Sequence, residues 1–201
     1  MVRRFHILSL SLVLFAALLS GCSSQMKTRY VEDTTTTEAT SLYFSHKDLQ
    51  LIADAMVDDL LKQGYFKEVP LVRISQVSNK TDEHIDTKSI TDSIRTRLLR
   101  SGEVKFVADV SEKGAREEMV KELKFGESAL ADPSKSPEVG KMQAAKYHLF
   151  GEITSTESSA GKVKEKFFKM TLSLAEVETG VLVWANEKEI LKQGKKQTVG
   201  W

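Results

Sequence analysis

Between Leu49 and Leu61 the apolar residues Leu49, Ile52, Ala53, Met56, Val57, Leu60 and Leu61 recur at intervals of three and four, which predicts a helix with one buried face. Ser45-His46-Lys47-Asp48 just before it has the spacing of a capping box, with Asp in place of the usual Glu, and Gly64 suits the C-terminal turn. Pro70 opens a predicted strand over 70–77, and Asn79-Lys80-Thr81-Asp82 reads as a polar turn. A second helix, from Asp86 or Thr87 to Gly102, is expected to bury Ile90, Ile94, Leu98 and Leu99 and to carry Arg95, Arg97 and Arg100 outside. Residues 104–108 alternate as a short strand. A third amphipathic helix is expected over 111–125, with Ala115, Met119, Val120 and Leu123 inward. Pro133 and Pro137 mark a loop, after which a short helix is expected to end near Lys146. Three strands follow over 147–154, 166–177 and 181–190, with turns at 158–161 and 178–180. Helix and strand alternation followed by a C-terminal β-meander predicts one α/β domain over 45–201, a mixed β-sheet covered by helices.

The N-terminal pattern is different. Arg3 and Arg4 precede an almost wholly apolar or small run from Phe5 to Leu19, about the length of a signal peptide and too short to span a membrane comfortably. It closes on Leu19-Ser20-Gly21-Cys22, which resembles the bacterial lipoprotein box and implies cleavage of residues 1–21 and a covalent lipid on Cys22, the only cysteine. More than one acyl chain on that residue gives stable anchoring. Ser23, rather than Asp, follows it, which by the sorting rule for such lipoproteins implies the outer membrane with the domain facing the periplasm. From Ser23 to Ser41 there is no apolar periodicity and a run of four threonines, Thr34 to Thr37. Residues 22–44 therefore read as lipidated cysteine plus tether, reaching at most ~65 Å extended and ~25 Å as a coil.

Charge and chemistry narrow the function classes. Twenty-nine Lys and Arg against 28 Asp and Glu give a net charge of +1, with no general pull towards nucleic acid. His6, His46, His84 and His148 show no metal-ligand spacing. No glycine-rich phosphate loop follows a strand, and there is no G-x-S-x-G elbow. Ser159-Ala160-Gly161-Lys162 matches S-x-x-K, but it falls in a predicted turn, whereas that nucleophile sits at the start of a buried helix, and the S-D-N and K-T-G partner motifs are missing. Asp58 and Asp59 are adjacent on a helix, so their side chains diverge. Neither catalytic residues, a metal nor a cofactor other than the lipid is expected, and the arginines of the second helix read as a solvated face.

Three stretches carry a family resemblance. They are Ser78-Asn79-Lys80-Thr81-Asp82-Glu83-His84-Ile85-Asp86-Thr87, then Leu98-Leu99-Arg100-Ser101-Gly102, then Ala144-Ala145-Lys146-Tyr147-His148-Leu149-Phe150-Gly151. With the closing Thr179-Gly180-Val181-Leu182-Val183-Trp184, they resemble the LpoB family over roughly 45–191. The resemblance implies a fold like the TolB N-terminal domain. It also implies an outer-membrane lipoprotein that binds and activates a bifunctional penicillin-binding protein, a peptidoglycan synthase, without being an enzyme itself. A structural or assembly lipoprotein of an envelope secretion complex is the other function compatible with such a fold. The resemblance further implies partner contacts at Lys80 and Phe150, with Asn79, Thr81, Glu83 and His84 in the same turn as further candidates. Two features differ from well-known members: the tether is short and threonine-rich rather than long and proline-rich, and Ser75 stands where the family can carry an acid.

Overall fold

A computed structural model describes residues 41–66, 68–108 and 115–195. Cys22, the expected signal segment and the expected tether up to residue 40 lie outside the described residues.

Helix α1, His46–Lys62, starts at the expected capping box: Ser45 Oγ accepts from the Asp48 N–H, and the Asp48 carboxylate accepts from the Ser45 N–H at 2.7 Å. Strands β1, Leu71–Ile74, and β2, Ser78–Lys80, come next. Helix α2, Thr87–Ser101, is capped by the Asp86 side chain and ends at Gly102, whose φ of 76° is the left-handed conformation that glycine adopts without a Cβ clash. After β3, Lys105–Phe106, and α3, Ala115–Gly126, come the long strands β4, Tyr147–Ala160, β5, Val163–Glu176, and β6, Leu182–Lys195.

The sheet runs β3-β1-β4-β5-β6, with β2 also pairing with β4. β1 and β2 lie parallel to β4, and β4, β5 and β6 form the expected antiparallel meander. α1 and α2 lie on one face. Ile52, Met56 and Leu60 of α1 and Ile90, Ile94 and Leu98 of α2 join Leu149, Ile153, Phe168, Met170, Leu172, Leu174 and Trp184 in one buried cluster. The Trp184 indole N–H donates to Asp59 Oδ2 at 2.9 Å, tying β6 to α1. Gly151 sits where chains approach closely, since a Cβ there would overlap the Thr171 carbonyl oxygen.

Several expectations need correction. The strand expected over 70–77 is broken: Ile74 pairs with Leu149 and Ser78 with Glu152, so one strand advances four residues while the other advances three. The extra residue is a bulge, held by Ser75 N–H donating to Leu149 O and Val77 N–H donating to Thr91 Oγ1 of α2 at 3.0 Å. Asn79 and Lys80, expected in a turn, are strand residues, and the turn begins at Thr81. Leu99 is exposed, because Leu98 takes the core position and its neighbour points about 100° away. Met119 is also exposed, and Val120 and Leu123 are only half-buried, because α3 contributes no described residue to the buried core cluster. The short helix expected to end near Lys146 does not form: 127–146 is turns and irregular chain, where prolines and Gly140 at φ 84° interrupt helix. The strands of the meander are longer than expected at the 158–161 turn, which shrinks to the Gly161 region.

Candidate functional site: the open face of the sheet and its adjoining turn

Side chains alternate along a strand, so burying Leu149 and Ile153 of β4 sends His148, Phe150, Glu152 and Thr154 to the opposite face. On β5 the same face carries Phe167, Lys169, Thr171, Ser173 and Ala175, and on β6 Ala185, Glu187, Glu189 and Leu191. Among the described residues no helix packs on this side. Phe150 is 37% exposed there, its ring 5.3 Å from that of His148, and Ser75 Oγ lies 2.7 Å from His148 Nε2. Lys80 pairs with Thr154 and is exposed, so the fold brings Lys80 and Phe150 onto one face, four residues apart along β4.

The turn beyond Lys80 is closed by its own side chains. Asn79 Oδ1 accepts from the Thr81 N–H and hydroxyl at 2.9 and 2.7 Å, and Asn79 Nδ2 donates to Glu83 O at 2.8 Å. Asn79 and Thr81 therefore shape the loop, while His84 is exposed. Glu83 turns inward. Its Oε1 meets Lys166 Nζ at 2.6 Å and its Oε2 accepts from the Phe44 N–H at 2.9 Å. Lys166, with a side chain only 3% exposed, also pairs with Asp82 Oδ1 at 2.9 Å. Burial alone would lower the Lys166 pKa, but its bonds to Glu83 and Asp82 outweigh burial and raise it above the ordinary lysine range. The Lys166 ammonium, and next the Ser155 hydroxyl, hold the Asp82 carboxyl below its ordinary value.

Other expected features fall elsewhere. Arg97 pairs with Asp54 and Arg95 with Asp92, and Arg97 and Arg100 line a groove of about 930 Å³ between α1 and α2, on the far side of the sheet from Phe150. Ser159 lies near the end of β4 and Lys162 in the turn after it, not on a helix. No group of three His, Cys, Asp or Glu is placed to hold a metal ion among the described residues, nor is any helix there long and apolar enough to cross a membrane.

A family model described as peptidoglycan-synthase activator LpoB matches residues 48–190, well over half of the chain. The chain belongs to the LpoB family. Solved structures similar to it include the LpoB C-terminal domain from Escherichia coli, at 16% identity and a TM-score of 0.44 over 71% of this chain and 98% of that one. The NMR structure of E. coli LpoB is similar at 15% identity and a TM-score of 0.42, over 87% and 83% of the two chains. The Salmonella enterica LpoB C-terminal domain is similar at 16% identity and a TM-score of 0.44, over 71% and 98%. No protein of curated function matches the sequence.

The span matched to the LpoB family includes both Lys80 and Phe150. Neither the Ser75–His148 contact, which forms only across the β1–β4 pairing, nor the burial of Lys166 and Lys192 was expected from the sequence. The lysines did carry a signal. Lys166 is in phase with Phe168, Met170, Leu172 and Leu174, and Lys192 with Trp184 and Ile190, so each ammonium falls on the side of the sheet that demands an acid partner.

Proposed function

We propose that this chain is an outer-membrane lipoprotein that binds a periplasmic bifunctional penicillin-binding protein and activates it, with Lys80 and Phe150 as contact residues. The observation that carries the reading is the open face: in a family of peptidoglycan-synthase activators, it sets an exposed aromatic and an exposed lysine on one rigid sheet. A few residues, aromatic and charged ones prominent among them, carry most of the binding energy of an interface. An activator needs no nucleophile. It accelerates its partner by binding the active conformation better than the inactive one, and a tenfold shift takes about 1.4 kcal/mol of differential affinity. The test adds the lipid-free chain from residue 23 onward to a purified bifunctional synthase. Faster product formation with synthase, and none from the chain alone, is expected; an unchanged rate at saturating chain overturns the reading. The anchor is tested separately: Cys22→Ala should leave the precursor uncleaved and unlabelled by palmitate, and normal processing would contradict it.

A further inference from the structure

We propose that Lys166 is the positioning residue of the turn that follows Lys80, and that through Glu83 it fastens this turn to residues 43–45, where the chain comes in from its N-terminal segment. This deepens the proposed function and rests on it, since the turn matters only if Lys80 meets a partner.

The geometry joins three parts of the chain at two buried lysines. Lys166 of β5 and Lys192 of β6 are directly paired across the sheet and point to the same, helix-covered side. Lys166 takes Asp82 and Glu83 from the turn, at 2.9 and 2.6 Å. The second oxygen of Glu83 holds the Phe44 N–H at 2.9 Å, and the Phe44 ring meets Phe168 edge-on at 5.6 Å. Lys192 donates to Tyr43 O at 2.5 Å and pairs with Asp48, the carboxylate that caps α1. The Lys166 ammonium also sits 5.8 Å from the centre of the Tyr43 ring. One carboxylate of the turn, Glu83, thus bonds both Lys166 of β5 and the incoming backbone. A buried charge whose partner is removed is costly, so neither the turn nor residues 43–45 shifts without disturbing the other.

Two consequences separate this from an ordinary structural ion pair. The turn and the incoming chain open as one unit, and the lysine beneath the turn affects a partner it does not touch. Amide hydrogen exchange of the full chain reads the first. In Lys166→Met, exchange at Phe44 and at Thr81 and Glu83 should accelerate together, by at least about tenfold more than exchange of the β4 and β5 core amides, which report global stability. Glu83→Gln, which keeps the shape and an acceptor for Phe44, should produce the same paired acceleration to a smaller degree, and it decides the matter if Lys166→Met does not fold. Acceleration at the turn without Phe44, at Phe44 without the turn, or at neither overturns the proposal. Binding to a purified bifunctional synthase reads the second consequence: the folded variants should bind more weakly than the unchanged chain, although Lys80 and Phe150 are intact. Variants that bind as well as the unchanged chain overturn the positioning role. An unchanged chain that binds no synthase overturns the proposed function instead, and the exchange measurement still decides the coupling.

Discussion

Along β5, Lys166, Phe168, Met170, Leu172 and Leu174 are buried beneath the helices, while Phe167, Lys169, Thr171, Ser173 and Ala175, alternating with them on the same backbone, are only half-buried. The two sets share one ladder of hydrogen bonds and differ in what surrounds them. On the covered side large apolar groups interlock with α1 and α2, so each contributes to stability through area removed from water and through close contacts. The open side is polar at its centre, with Thr171 between Glu152 and Glu187, and carries its aromatic residues, Phe150 and Phe167, on adjacent strands away from that centre. A side chain there has little to lose on unfolding and something to gain from a partner. Under the proposed function, stability and partner binding fall on opposite faces of the same strands.

The largest effects should fall on the covered face. Phe168→Ala removes a fully buried ring and should cost about 3–5 kcal/mol in a urea titration, whereas Phe167→Ala, one residue along, should cost less than ~1.5 kcal/mol. Equal losses would erase the distinction between the faces. The buried ions come next. Lys192→Met strands the Asp48 carboxylate, whose side chain is 5% exposed, and should lower stability by about 3 kcal/mol. Lys88→Ala breaks an exposed pair with Asp92 on α2 and should cost about 0.3–0.5 kcal/mol.

The helices α1 and α2 were legible because their period and caps are local: Ser45 to Asp48 and Gly102 act within a single turn. Strand β5 was legible from its alternation of large apolar and smaller residues. The bulge at 75–77 was not, because it depends on Thr91, a hydroxyl supplied by α2 only once the chain has folded. The exposed Met119 was missed because periodicity reports that a helix has an apolar side, not that the fold offers that side a place. At the site, Lys80 and Phe150 came from the family resemblance. Their common face came from the β2–β4 register, which two distant segments set together.

A smaller effect sharpens the contrast through pH. The Asp82 pKa is lowered, so its contribution is present above the ordinary carboxylate value and is lost as pH falls through the folded value. The Lys166 pKa is raised, so its contribution is complete below the ordinary lysine value and is lost as pH rises through the folded one. Thermal unfolding of the unchanged chain and of Lys166→Met should therefore differ by a constant amount between about pH 5 and 10, and the difference should narrow as pH falls below about 4. A difference that instead varies steadily across the neutral range would place the coupling outside this cluster.

The central claim, that the open face binds while the covered face stabilises, is tested most directly by the affinity of a bifunctional synthase for the double variant Lys80→Glu, Phe150→Ala, measured beside its melting temperature. The account predicts an affinity lowered at least about tenfold, with a melting temperature within about 4 °C of the unchanged chain. Unchanged affinity in the folded double variant would contradict it.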